Sequence, residues 1–182
     1  MLVHLDGARI ANATAALGGS RESLRAFTID AGVDAVSFGL TKTGGIGAEA
    51  VVFTNPGAAT GSAFLRKQVT QLSSKMRYLA AQFNALLDDD LWIELGADAN
   101  AAATALYQRV SGIDGVAAGG PPAVNSMYPV LAPEAIRALQ RWSFFWDWDP
   151  ARHQVRWMSA WNTTAADISA FMAGVEAVTS QG

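Results

Sequence analysis

Val33-Asp34-Ala35-Val36-Ser37-Phe38-Gly39-Leu40-Thr41-Lys42-Thr43-Gly44-Gly45-Ile46-Gly47-Ala48-Glu49-Ala50-Val51-Val52-Phe53 is the stretch that decides the fold. Two apolar, β-branched runs, 33–38 and 50–53, flank a glycine-rich loop, which predicts strand–loop–strand with both strands buried. Upstream, residues 2–5 form a short apolar run ending at Asp6-Gly7, a strand followed by a turn. The alanine-rich stretch 8–17 is helix-compatible and is stopped by Gly18-Gly19, after which Ser20 can cap a short helix with Ser23 at the third position. This alternation of short strands and helices gives an α/β fold class.

The pattern changes further along. Leu65, Val69, Leu72, Met76, Leu79, Phe83 and Leu86 alternate spacings of four and three, the stripe of one long helix between Gly61 and Leu87. Such a stripe serves a core or a subunit contact. Asp88-Asp89-Asp90 stands at the mouth of a second helix, 91–110, as a solvated run that complements the helix dipole. Residues 1–90 and 91–182 are therefore expected as two domains. Beyond Gly119-Gly120-Pro121-Pro122 the sequence predicts a strand at 124–130, a helix at 133–141, strands at 143–146 and 154–161, and a last helix capped by Thr164 with Asp167. Five of the six tryptophans, Trp142, Trp146, Trp148, Trp157 and Trp161, fall here, and such clustering on short strands usually means packing.

Composition bounds the function. The 182 residues are 51% apolar and 16% charged, enough for a packed core and unlike a disordered segment. A net charge of −3 argues against nucleic-acid binding through bulk electrostatics. With no cysteine, disulfides, thiolate metal sites and a cysteine nucleophile are excluded, and two distant histidines, His4 and His153, make no zinc site. There is no basic start followed by a long apolar stretch and no run of about 20 apolar residues, so the expectation is a cytoplasmic protein without a membrane partner.

Three polar features stand out. Asp6-Gly7-Ala8-Arg9 follows a strand, where ligands bind in α/β domains, although a capped turn or a salt bridge gives the same pattern. His4 shares the strand face of Asp6 and fits a supporting role. Lys42 emerges from an apolar stretch inside a glycine-rich loop that lacks the Gly-x-x-x-x-Gly-Lys-Ser/Thr order of a nucleotide-binding loop. Partial desolvation there would lower the amine's pKa, as Schiff-base chemistry requires; a surface turn is the other possibility. Arg156 lies inside an aromatic strand and needs an anionic partner, either a structural carboxylate or a substrate carboxylate. A carboxylate, a lysine some thirty-odd residues on and a distant arginine suit pyridoxal phosphate, whose lysine Schiff base needs an acid at the pyridine nitrogen.

His4-Leu5-Asp6-Gly7-Ala8-Arg9-Ile10-Ala11-Asn12-Ala13, the run from Val33 to Lys42 and Gly47-Ala48-Glu49-Ala50-Val51-Val52-Phe53 resemble low-specificity L-threonine aldolases. Lys67-Gln68, Ser74-Lys75-Met76-Arg77-Tyr78-Leu79-Ala80 and Arg156-Trp157-Met158-Ser159-Ala160-Trp161 do so too, in the same order along nearly the whole chain. The resemblance implies part of a fold-type I pyridoxal-phosphate large domain followed by a small α+β domain. It implies that Lys42 forms the Schiff base with pyridoxal 5′-phosphate, that Asp6 pairs with the ring nitrogen, and that Arg9 lies near the ring hydroxyl. Arg77 would contribute to phosphate binding, across a lysine-to-arginine spacing that differs from several relatives, and Arg156 would hold the substrate carboxylate. No metal is implied. The reaction implied is cleavage of threonine or allo-threonine to glycine and an aldehyde by a homo-oligomer, a dimer or tetramer.

Two departures accompany the resemblance. Thr43 stands where many relatives carry asparagine, and relatives are nearly twice as long. The loop for the cofactor phosphate and the histidine stacked on its ring are expected in the half that has no counterpart here, so the chain is expected to be truncated, with an exposed apolar sheet edge. Two alternatives to the aldolase stay open: a non-catalytic relative that self-associates through the stripe between Leu65 and Leu86, and a different pyridoxal-phosphate lyase or aminotransferase of the same fold.

Overall fold

The computed structural model describes residues 1–180, which form two compact units, Met1–Ala97 and a second from Asp98 onward. The first unit opens with strand β1 (His4–Gly7), helices α1 (Ile10–Ala16) and α2 (Arg21–Phe27), and strands β2 (Ala35–Gly39) and β3 (Glu49–Phe53). β1 pairs parallel with β2, and β3 pairs antiparallel on the other side, giving a three-stranded sheet with β1 and β3 outermost. The expected turn at Asp6-Gly7 is instead the end of β1, in register with Ser37 and Phe38. Gly7 permits this closeness: a Cβ there would lie 2.5 Å from the Ser37 carbonyl oxygen.

Asp34 fastens the sheet. Its carboxylate accepts from the Val3 amide at 2.7 Å and from the Asn55 side chain at 2.6 Å, tying the start of β1 to the end of β3. These bonds, that from Asn55 foremost, hold the Asp34 carboxyl below its ordinary pKa. One sheet face packs Leu5, Val36 and Phe38 with Ile10, Leu40 and Trp92. β3, expected to be buried, is largely exposed at Val51 and Val52, because β3 is an outer strand whose edge no further strand covers.

The long helix expected between Gly61 and Leu87 is two helices, α3 (Ser62–Gln68) and α4 (Met76–Leu87). The 3.6-residue spacing survives across the gap, but Thr70 takes a left-handed conformation at φ 60°, and α3 stops at Gln68, just before the β-branched pair Val69-Thr70. Only the end of the stripe is packed, with Leu86 buried and Phe83 against it, while Phe64 (83% exposed), Leu65, Val69 and Leu72 face outward. Helix α5 (Leu91–Val110) supplies its first residues to this unit and the remainder to the next.

The second unit contains β4 (Val116–Ala117), β5 (Ser126–Met127), β6 (Val130–Leu131), α6 (Pro133–Gln140), β7 (Trp146–Asp149), β8 (Gln154–Met158) and α7 (Ala165–Thr179). The strand expected at 124–130 is interrupted at Tyr128-Pro129, where proline has no amide to donate, although the Pro129 carbonyl still accepts from Val155 at 2.9 Å. β8 is the centre of the antiparallel sheet and pairs with β5, β6 and β7. Val155 and Trp157 of β8 enter a core with Leu131, Leu139, Met172 and Val175. Thr164 and Asp167 cap α7 reciprocally, which holds the Asp167 carboxyl below its ordinary value through the Thr164 hydroxyl first and the Thr164 amide second. No helix among the described residues is long and apolar enough to cross a membrane.

Candidate functional site

Because β1 and β2 are parallel, their carboxyl ends meet at one edge of the sheet, the place where open α/β sheets bind ligands. Asp6 is the penultimate residue of β1. One of its oxygens, Oδ1, accepts from the Ala8 amide at 3.0 Å, and the exposed carboxylate has no other partner among the described residues. His4 lies on the same strand face but turns to Ser37, with its Nε2 2.9 Å from the hydroxyl oxygen. Arg9 occupies the cap position of α1, half-buried, with its carbonyl accepting from Ala13 at 3.2 Å.

Lys42 is carried by a single 3-10 turn, Thr41–Thr43, directly after β2. Leu40 and Thr43 are buried on either side of it, and the Leu40 carbonyl accepts from both Thr43 and Gly45 at 2.9 Å. Gly44 closes the turn at φ 94°, a left-handed conformation suited to glycine. The loop beyond is fixed to α4 by the Ile46 amide, which donates to the Gln82 side chain at 2.6 Å. The backbone of Lys42 is thus anchored from both sides while its amine projects outward without a partner among the described residues. The expected desolvation of Lys42 is absent within this unit: the neighbouring apolar side chains turn into the core and the lysine is exposed.

Arg77 lies in the first turn of α4, exposed, with its guanidinium over the Tyr78 ring at 5.1 Å and 3.4 Å from the Tyr78 hydroxyl. No hydrogen bond or ion pair joins it to Asp6 or Lys42. The first unit therefore brings Asp6 and Lys42 to one sheet edge, with Arg9 immediately after the strand, and leaves Arg77 on a separate helix.

In the second unit, Arg156 points away from the core that Val155 and Trp157 enter, as the alternation of β8 requires. Its Nε is buried and finds no hydrogen-bond partner among the described residues, and no carboxylate pairs with the guanidinium. The group instead lies 5.5 Å from the centroid of the Trp148 ring. Among the described residues of this unit, no structural carboxylate, one of the two partners the sequence left open, meets the guanidinium. A cavity of about 220 Å³ on the core side is lined by Trp157, Phe171 and Leu106 and does not include Arg156.

Trp148 and Tyr128 are the residues sequence reasoning passed over. Trp148 sits within a tryptophan cluster whose commonest role is packing, and only the strand pairing distinguishes it from Trp157, which is 3% exposed against 55% for Trp148.

A sequence profile of the beta-eliminating lyases matches residues 1–145. A low-specificity L-threonine aldolase of a Pseudomonas species is 36% identical over 180 residues, 98% of this chain and 51% of that protein. The enzyme of the same name from Pseudomonas aeruginosa is 39% identical over 145 residues, 79% of this chain and 41% of its own length. A solved structure of Leishmania major threonine aldolase, 26% identical, superimposes with a TM-score of 0.84 over 98% of this chain and 52% of that one. The chain thus spans about half the length of the curated relatives it matches. By the breadth of the profile match and by its fold, the chain belongs to the beta-eliminating lyase family.

Proposed function

We propose that this chain carries the cofactor-bearing lysine, the acid and the carboxylate-binding arginine of a pyridoxal-phosphate-dependent aldolase. Its substrates would be β-hydroxy-α-amino acids, threonine and allo-threonine, cleaved to glycine and an aldehyde. The observation that carries this reading is the placement of Asp6 at the carboxyl end of β1 and of Lys42 in the turn just beyond the carboxyl end of the parallel neighbour β2. The donor set fits the group: one amine and one carboxylate oxygen, both without partners among the described residues, match the aldehyde carbon and the pyridine nitrogen of such a cofactor.

Lys42 would hold the cofactor through Nζ, Asp6 through its ring nitrogen, Arg9 beside the ring hydroxyl and Arg77 at the phosphate. When bound, the cofactor supplies an electron sink for the pair left on the substrate Cα as the Cα–Cβ bond breaks. Asp6, as a carboxylate, accepts a hydrogen bond from a protonated ring nitrogen and keeps that proton in place. Arg156 receives the substrate carboxylate with two parallel N–H donors, which fixes the amino acid's orientation. The reading extends to a cytoplasmic homo-oligomer, with the exposed Phe64, Leu65 and Val69 as the apolar surface that self-association would bury.

Titration with pyridoxal phosphate tests it. The expected result is a visible absorbance band that Lys42→Ala abolishes, with glycine and acetaldehyde released from L-threonine. A band that survives Lys42→Ala contradicts the assignment, and release of ammonia and a 2-oxo acid in place of glycine moves the chemistry to β-elimination.

A further inference from the structure

In β7 the register against β8 slips by one residue. Trp146 pairs with Arg156 and Asp147 with Val155, but Asp149, not Trp148, pairs with Gln154. Trp148 is the extra residue of a β-bulge, a feature that bends a strand and re-aims one side chain. Here the re-aimed ring lies 5.5 Å from the Arg156 guanidinium, within cation–π range. Behind it stands Tyr128, with ring centroids 4.8 Å apart and planes at 56°. The Tyr128 backbone is held in turn, since its carbonyl accepts from the Gln154 side chain at 3.0 Å.

We propose that Trp148 is the positioning residue for Arg156. Tyr128 supports the indole, the indole holds the guanidinium against an otherwise unpaired surface, and the bidentate edge is left open for a carboxylate. The relation gives the guanidinium, whose buried Nε has no hydrogen-bond partner among the described residues, an aromatic face to rest on. A planar guanidinium stacks on an aromatic face while its donors remain available in plane, which an ammonium cannot do. This proposal rests on the assignment of Arg156 to the substrate carboxylate.

Nitrogen-15 NMR of the 182-residue chain, with L-threonine and L-threoninamide as probes, separates the two claims. The Arg156 Nε–H resonance is expected to carry a ring-current shift and to exchange slowly with water. Trp148→Ala removes both properties, Trp148→Phe keeps most of them, and Tyr128→Leu weakens them. L-Threonine shifts the resonance and the amide does not. Trp148→Ala weakens L-threonine binding about tenfold, in keeping with a partly desolvated cation–π contact, and Trp148→Phe restores it to within about threefold. Unchanged Arg156 resonance and L-threonine affinity in Trp148→Ala overturn the positioning role. Equal response to L-threonine and its amide, or unchanged affinity in Arg156→Lys, overturns the carboxylate assignment instead, whatever Trp148 does to the resonance.

Discussion

Gly96 of α5 lies against the backbone of Ala11 in α1 so closely that a Cβ at position 96 would stand 2.7 Å from the Ala11 carbonyl carbon. The Asn12 side chain seals the approach by donating to the Gly96 carbonyl at 3.2 Å. α1 begins just after Asp6 and Arg9, so this contact fixes the segment that follows the candidate acid. All of the nearest atoms are backbone and cannot rotate away. Gly96→Ala is therefore expected to destabilise the chain by about 1–3 kcal/mol, the range for overpacking. Gly112, with open space around it, is the control: Gly112→Ala should be neutral within about 0.5 kcal/mol. Denaturant melts of the two variants check both outcomes.

Acid should loosen the start of α7. The Asp167 carboxyl is held below its ordinary value by the Thr164 hydroxyl and amide, so the folded state binds its proton less readily than the unfolded state. Its contribution is then fully present above the unfolded pKa of about 3.9 and is lost as pH falls through the lower folded value. Asp167→Ala should be less stable than the wild type at pH 7, and the difference should shrink toward zero as pH falls through the lowered folded-state value. Thermal melts across that range provide the measurement; a difference that persists unchanged at low pH contradicts the ionised cap.

Arg156→Met should separate stability from binding. Among the described residues the guanidinium makes no ion pair and its Nε is buried unpartnered, so the fold loses little when it goes. Stability is expected within about 0.5 kcal/mol of wild type, while affinity for an amino acid carboxylate falls about 100-fold, the equivalent of a charge-assisted bidentate contact. Calorimetric unfolding and ligand titration read the two quantities independently.

Asp6→Asn should show the same separation in the first unit. The Ala8 amide is the one partner of Asp6 among the described residues, and an asparagine oxygen can accept that bond as well. The melting temperature should therefore hold, whereas cofactor affinity falls about 10- to 100-fold because a hydrogen bond to a charged group is lost. Equal affinity of Asp6→Asn and wild type would remove Asp6 from the ring nitrogen.

Much of the local structure was legible because short-range chemistry settles it. Thr164 with Asp167, and Ser20 with Ser23, cap the helices their spacing implies, and the two apolar runs around Lys42 are β2 and β3. What the sequence obscured depends on neighbours. The stripe from Leu65 to Leu86 keeps helical spacing through a break, because periodicity records which side faces inward and not whether Thr70 turns left-handed. Asp6 read as a turn because Asp-Gly usually is one, yet the lack of a Cβ at Gly7 lets the strand continue beside Ser37. Lys42 in an apolar stretch read as desolvated, but the turn after β2 sends Leu40 and Thr43 inward and the lysine outward. The link between Trp148 and Arg156 arises from a register slip that no one-dimensional pattern displays.

Covalent trapping shows which amine of the chain bears the cofactor, and Lys42 is the one expected. The chain contains three lysines, Lys42, Lys67 and Lys75, all exposed, so exposure alone gives none of them an advantage. The chain is mixed with pyridoxal phosphate, reduced with borohydride, digested and mapped by mass spectrometry. The label is expected to concentrate on Lys42 and to diminish there in Asp6→Ala; a label spread evenly over Lys42, Lys67 and Lys75 and unaffected by Asp6→Ala removes Lys42 from that role.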